Sequence, residues 1–407
     1  MKVLISAFAC DPSFGSDEEV GWRWGVELSA LGHEVTILTR RSHQESIEKY
    51  LAKNTLEREV KFCYVDIDWL HRILSKFNRR NHIYYYFWQM AALSAARAVH
   101  GAEQFDVVHH VTWVSFRQPS LMWRLGIPFV FGPVAGADCT PAGLKQTLSP
   151  LQRLGERVRD VVNQLVRFDP LLRLTFARAE SIYVTSPAHL PLVPPAHRSK
   201  TKVSLAIGAC EARPVAQIPK QRDALFVGRA VGIKGMDLGL QAFALARSRL
   251  PDLTLTVVSE GPELQRWKQQ AAALGVADAV QWLNWMARED LDAVYAQHRL
   301  LLCPAYRDSG GFVVLEALQC GLPVVCLDLG GPGVIVNDTV GRAVSAEGSV
   351  PEVAQRLAQA MGDVLQEVAA DEAASRKACT ARADYFRWSD LVGRIYADVS
   401  ALVQRKR

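Results

Sequence analysis

Residues 308–325, Asp-Ser-Gly-Gly-Phe-Val-Val-Leu-Glu-Ala-Leu-Gln-Cys-Gly-Leu-Pro-Val-Val, decide the fold of this chain. An apolar run, RLLLCPA at 299–305, leads into them and reads as a strand. Gly310-Gly311 breaks the run, and Phe312 to Cys320 then reads as a helix. Gly321 and Pro323 stop that helix on cue, before PVVCLD resumes as a strand. Two all-apolar strands joined through a helix belong to a parallel sheet covered on both faces. A helix opening on two glycines offers bare backbone N–H groups to an anion, which suits a diphosphate. Asp308 and Glu316 stand eight residues apart on a mostly helical path, about 10–12 Å at about 1.5 Å per residue. A retaining glycosidase pair needs about 5 Å. The two acids are therefore expected to grip two parts of one long ligand, the bland alternative being a glycine turn with two solvated carboxylates.

The same rhythm extends in both directions. ALFVGR, a helix over 236–249, LTLTVVSE, a helix near 263–274 and VQWLNW precede the stretch. In the first half KVLISAF, EVTILT, FDVVHHV, PFVFGPV and SIYVTS are strands between helical patterns. Four prolines at 187, 191, 194 and 195 place a hinge region from there to about 217. The expectation is an α/β protein of two Rossmann-like, doubly wound domains facing across a cleft. Their expected limits are 1–200 and 201–385, with a last helix in 386–407 packing back on the first domain.

Composition excludes whole classes of protein. The 407 residues are 49% hydrophobic and 22% charged, enough for large cores and unlike disordered or collagen-like chains. No run reaches the roughly 20 apolar residues of a spanning helix. MKVLISAFACDP reads as a strand rather than a signal peptide. Eight scattered cysteines with no C-x-x-C argue for a reducing cytoplasm and against structural zinc. The net charge of +5 lies wholly in residues 1–200, with 24 Lys and Arg against 19 Asp and Glu.

The 308–316 segment resembles the acid-x7-acid signature of retaining family-4 glycosyltransferases (glycosyl transferases group 1) of the GT-B fold. The resemblance implies that Glu316 holds the nucleotide ribose, that Gly310, Gly311 and Phe312 present the phosphate-binding turn, and that Asp308 faces the donor sugar. The family usually has Glu at that last position. FVGRAVGIKGMDLGLQAF, at 226–243, is similar to the family's F-V-G-R…K-G element. It implies that Arg229 and Lys234 aim at one phosphate group, where fixed cations lower the barrier as the leaving diphosphate gains charge. Ser259-Glu260-Gly261-Pro262-Glu263 resembles the family's G-x-G-P-E turn. Val280 to Met286 resembles its V-x-F-L-G-x-V element, which places Asn284 and Trp285 near the base. Trp282 and Trp285 read equally as core residues.

In the first half, ACDPSFGSDEEVGWRW resembles the opening of a subset of the same family. Gly15 and Ser16 are expected on the acceptor side, where Asp17, Glu18 and Glu19 would repel a phosphate. Ser16 and Glu19 also have capping-box spacing. His109, His110 and Asp138 are further acceptor-side candidates, the histidines reading alternatively as a satisfied strand end. Relatives often carry a histidine where this chain has Phe131 to Gly136, so no general base is assigned. Asp66-Ile67-Asp68 matches the D-x-D metal pattern of the other large glycosyltransferase fold, a pattern common by chance, and no metal ligand is assigned.

Residues 69–102 contain five basic residues, no acid and many large apolar side chains. Either they form snorkelling helices or they touch an anionic leaflet, together with arginines at 153, 157, 159, 167 and 173. The implied activity is transfer of a sugar from a nucleotide-diphosphate sugar to a saccharide or polyprenyl-linked saccharide. No cofactor or obligatory metal is expected, nor any nucleic acid partner. The location is cytoplasmic, with peripheral contact at the membrane's inner face. The alternatives are a GT-B nucleotide-sugar epimerase and a non-catalytic nucleotide-sugar-binding protein. A dehydrogenase is disfavoured because the first strand lacks G-x-G-x-x-G.

Overall fold

The computed structural model describes residues 1–13, 17–74, 82–210 and 222–406. Two compact units emerge: residues 1–137, 163–208 and 388–407 in the first, 138–162 and 209–387 in the second.

The first unit is built on seven strands: β1 Lys2–Ala7, β2 Glu34–Thr39, β3 Val60–Tyr64, β4 Val107–Thr112, β5 Phe129–Val134, β6 Ser181–Val184 and β7 Thr201–Val203. Their spatial order is β3-β2-β1-β4-β5-β6-β7, every pair parallel. Strands this apolar are stable only when covered on both faces. The cover comes from α1 Asp17–Ala30, α2 Gln44–Lys53, α3 Asp68–Leu74 and α4 His82–Glu103, and from α6 Pro170–Arg178, while the intervening α5 Pro150–Val166 lies for the most part in the second unit.

The second unit has six parallel strands: β8 Arg222–Val227, β9 Leu255–Val258, β10 Val280–Leu283, β11 His298–Cys303, β12 Val324–Leu327 and β13 Gly341–Val344. Their order is β10-β9-β8-β11-β12-β13. Its helices are α7 Met236–Arg247, α8 Leu264–Ala273, α9 Arg288–Gln297, α10 Phe312–Gln319, α11 Gly330–Ile335, α12 Val350–Ala370 and α13 Glu372–Tyr385. The doubly wound α/β architecture expected from the apolar strand rhythm is thus present twice.

The last helix, α14 Trp388–Lys406, belongs to the first unit and packs on α1, burying Trp388, Leu391, Ile395, Tyr396 and Val399. Residues 138–162 group with the second unit, although a linear division at 200 assigns them to the first. The cause is packing: Leu144 and Leu148 are buried in the second unit's core beside Tyr306 and Val350. The proline-rich segment stays in the first unit as two short 3-10 turns, Pro187–Leu192 and Pro195–Lys200, and the chain passes to the second unit at 208/209.

Candidate functional site

In the second unit β8 and β11 are neighbours at the centre of the sheet, and the chain winds away from them in opposite directions. Ligands of open α/β sheets bind at the carboxyl ends of such a pair. Lys234 ends the short turn Gly232–Lys234 after β8, and Asp308 follows β11. The Lys234 Nζ donates to Asp308 Oδ2 at 2.8 Å. The two side chains are 26% and 16% exposed, so solvent still reaches the pair. Burial opposes charge on both groups, but their mutual attraction outweighs it. Asp308 is held below the usual carboxylate range, helped by a 2.8 Å hydrogen bond from the Gly311 N–H to its Oδ1. Lys234 is raised above the usual ammonium range.

Gly311 caps α10 at φ 73°, in the left-handed region, and a Cβ there would meet Ile335 Cδ1 at 2.7 Å. Glycine is required on both counts. The Gly311 N–H is engaged by Asp308, and the Val314 and Leu315 N–H groups donate to Gly311 O at 3.0 and 3.1 Å. Half-exposed Gly310 lies just before the cap, and Phe312 opens the helix. One turn further on, Glu316 accepts a hydrogen bond from the Tyr295 hydroxyl of α9 at 3.1 Å. Each of the two acids thus has its own partner on its own element, as suits separate contacts to one extended ligand.

Around them the turn after β9 lies on the loop after β8. The Ala230 N–H donates to Glu260 O at 2.8 Å and the Glu263 N–H to Ala230 O at 3.0 Å. Gly261, at φ 143°, sits where a Cβ would lie 2.7 Å from Ala230 O. It is a packing glycine for the loop that carries Arg229. Arg229 is exposed and, among the described residues, its guanidinium has no partner. The structure pairs Lys234 with Asp308 rather than with a group that Arg229 shares. Asn284 and Trp285 follow β10 and are exposed, Trp285 at 69%. The core alternative holds for Trp282, which packs on the second unit's core with Lys268 Nζ 5.8 Å from its ring centroid, and fails for Trp285.

Several residues that support Asp308 give no local signal in the sequence. Tyr306 donates its N–H to Ile233 O at 2.9 Å, and its hydroxyl lies 2.8 Å from Thr147 Oγ1. Arg307 Nη2 meets Glu156 Oε1 at 2.9 Å, and the other oxygen of Glu156 accepts from Thr140 Oγ1 at 2.7 Å. Tyr306 and Thr147 are 159 residues apart in sequence and Arg307 pairs with a residue of the distant 138–162 segment, so no motif spacing reveals them.

The first unit treats its candidates differently. Gly15 and Ser16 lie outside the described residues. His109 and His110 are fully buried in β4, which corrects their acceptor-side placement. His109 donates from Nε2 to Gly132 O at 2.6 Å, and its Nδ1 lies 3.1 Å from the Tyr396 hydroxyl. Burial pushes the pKa of His109 down to about 4 and that of His110 to about 3, so both are neutral core groups. His109 is the satisfied strand end that the sequence also allowed, whereas His110 has Nε2 3.4 Å from Trp113 O and its buried Nδ1 without a partner among the described residues. Asp138 is buried at the start of the 138–162 segment, in the second unit, with its carbonyl accepting from Arg159 Nε at 3.1 Å. Asp66 accepts from the Tyr84 hydroxyl and from the Ser42 N–H at 3.2 Å and lies 3.6 Å from Arg40 Nε, a structural network. Asp68 faces Arg41 at 3.7 Å.

Both units have counterparts among known proteins. The family described as "Glycosyl transferases group 1" matches residues 211–377, and "Glycosyl transferase 4-like domain" matches residues 20–194. A D-inositol 3-phosphate glycosyltransferase of Mycobacterium sp. (strain KMS) is 30% identical over 62% of this chain and 58% of its own length. The chain therefore spans a little under three fifths of that relative. The protein of the same name from Salinispora arenicola is 29% identical over 74% of this chain and 70% of its own. The crystal structure of Anabaena HepE in complex with UDP superposes with a TM-score of 0.57 at 17% identity, covering 98% of this chain and all of the other. Residues 211–377 thus carry a glycosyl transferases group 1 domain and residues 20–194 a glycosyl transferase 4-like domain, and the chain has the GT-B fold.

Proposed function

We propose that the protein is a retaining glycosyltransferase that moves a sugar from a nucleotide-diphosphate donor to a hydroxyl of a saccharide or lipid-linked saccharide. The observation that carries the reading is the Lys234–Asp308 pair set beside the Gly310-Gly311 turn and the α10 N-terminus. The diphosphate takes the first-turn N–H groups of α10, with Lys234 and Arg229 supplying positive charge. Glu316 holds the ribose hydroxyls, Asp308 orients the donor sugar, and exposed Asn284 and Trp285 lie where the base is read. As the bond from the sugar's anomeric carbon to the diphosphate oxygen breaks, charge grows on the leaving oxygen, and fixed cations stabilise it without reorganising. The acceptor oxygen bonds to the same face of that carbon, and its proton passes to the departing phosphate. No protein base is needed, and with two side-chain cations at the phosphates the reading requires no metal.

A lipid-linked acceptor would place the enzyme on the cytoplasmic face of a membrane, in polysaccharide or glycolipid synthesis. Among the described residues no helix is long and apolar enough to cross a bilayer, so contact would be peripheral. The test is nucleotide release from UDP-, GDP- and ADP-sugars in EDTA, with and without an acceptor panel that includes D-inositol 3-phosphate. Release only with acceptor supports transfer. Binding without release identifies a nucleotide-sugar-binding protein, and release with an altered sugar and no acceptor identifies an epimerase.

A further inference from the structure

The 17-residue helix α5 has two faces of opposite chemistry. Leu151, Leu154, Val158, Val161 and Leu165 follow one another at spacings of three and four, which aligns them on one side. With Val162 they fill an arc of about 100° at about 100° per residue. That side is turned to solvent: the five are between 54% and 80% exposed. An amphipathic helix of a soluble unit ordinarily buries this stripe.

Here the opposite side is the one that is held. Glu156 is buried against Arg307 and Thr140, Asp160 is paired with Lys145, and Gln152 donates to Glu263 at 2.9 Å. The inward bonds occupy both acids of α5. The rim of the apolar stripe therefore carries Arg157 and, just past the helix, Arg167, both exposed, with no carboxylate of the helix facing outward.

We propose that the outer face of α5 is a docking surface for an anionic lipid bilayer, its leucines and valines entering the headgroup boundary and its arginines meeting lipid phosphates. An apolar stripe with a cationic rim is the composition of a helix lying in a membrane interface, and each well-placed cation adds about five-fold in affinity. A second copy of this chain is a poorer occupant. A two-fold contact would set the stripe against itself and bring its arginines together with no acid to offset them. Exposed apolar residues also mark α3 and α4, namely Trp69, Ile73, Ile83, Phe87 and Met90, with exposed Arg72 beside them, while Lys76, Arg79 and Arg80 lie outside the described residues; this face is a separate arm of the test.

The inference deepens the lipid-linked acceptor reading and rests on it for its biological sense. Its test is flotation of the full chain with vesicles of phosphatidylcholine alone or with phosphatidylglycerol added. Wild type should float with the phosphatidylglycerol vesicles and be released by salt. Leu154→Glu/Val158→Glu should lower recovery at least about tenfold and Arg157→Ala about five-fold. Unchanged circular dichroism and an unchanged thermal shift with UDP, GDP or ADP would show that the variants fold. Equal flotation of wild type and α5 variants overturns the proposal, as does release only by Ile83→Glu/Phe87→Glu. A dimer without lipid that Leu154→Glu/Val158→Glu converts to monomer also overturns it, in favour of self-association. Transfer to a soluble acceptor separates the two readings: retained transfer with no flotation removes only the docking surface, while flotation with no transfer from any donor removes only the transferase reading.

Discussion

Replacing Asp308 by Asn removes one charge while leaving an oxygen to accept the Gly311 N–H, so it isolates the ion pair with Lys234. The two groups are 2.8 Å apart. Unit charges about 4 Å apart at an effective dielectric of about 20 attract by about 4 kcal/mol. Removing one partner of a fully buried pair costs about 3–5 kcal/mol. Because solvent reaches both side chains, the expected loss of stability at neutral pH is lower, about 2–3 kcal/mol. Its pH dependence has a definite sign. Asp308 is lowered in the folded state, so its contribution is present above the unfolded carboxylate value and is lost as pH falls. Lys234 is raised, so its contribution is present below the unfolded ammonium value and is lost only at high pH. The cost of Asp308→Asn should therefore be flat from about pH 5 to 9 and shrink below about pH 4. The variant also releases Lys234 from its carboxylate. A hydrogen bond to a charged group is worth about 1.5–3 kcal/mol, so free nucleoside diphosphate should bind about ten- to a hundredfold more tightly, while transfer falls. Denaturant unfolding at several pH values, with calorimetric titration of UDP, GDP and ADP, measures both effects. Wild-type stability at pH 7 together with unchanged diphosphate affinity would refute the reasoning.

The other predictions use the same site and its supports. Lys234→Ala should slow transfer by about 2–4 kcal/mol of activation free energy, read from kcat, if it stabilises the leaving diphosphate; wild-type turnover removes it from the mechanism. Glu316→Gln should weaken nucleotide binding in calorimetry with little change in melting temperature, and unaltered affinity would exclude the ribose contact. Glu156→Gln should cost about 3–5 kcal/mol in denaturant unfolding by stranding Arg307, and a neutral result would show that the pair does not hold the Asp308 segment. His109 and His110, buried neutral with pKa values pushed down to about 4 and 3, take up protons on unfolding below about pH 6.5. Stability should therefore fall with acid between about pH 6.5 and 4, by up to about 1.4 kcal/mol per histidine per pH unit. A flat melting profile across that window would contradict their burial.

Much of the fold was legible because a parallel sheet writes itself locally. KVLISA, VVHHVT and HRLLLC are continuous runs, and glycines and prolines punctuate the helices between them. The local structure of 308–316 was legible for the same reason, since Gly310-Gly311, Phe312 and Glu316 all lie on one strand–turn–helix. What local spacing does not carry is long-range packing. Leu144 and Leu148 bind residues 138–162 to the second unit by joining the core that also holds Tyr306 and Val350, which are far away in sequence. His109 reads like a rim residue until its partners, Gly132 and Tyr396, close over both ring nitrogens. The pairing of Lys234 with Asp308 likewise spans 74 residues and needs β8 and β11 to lie side by side. The outward turn of the α5 stripe inverts the usual meaning of an amphipathic pattern, because its acids, not its leucines, hold the helix in place.

A structure of the protein with a nucleotide-diphosphate sugar tests the central claim most directly. The account predicts diphosphate oxygens within hydrogen-bonding distance of the α10 first-turn N–H groups and of Lys234 Nζ, with Glu316 on the ribose. A diphosphate bound away from the carboxyl ends of β8 and β11 would contradict it.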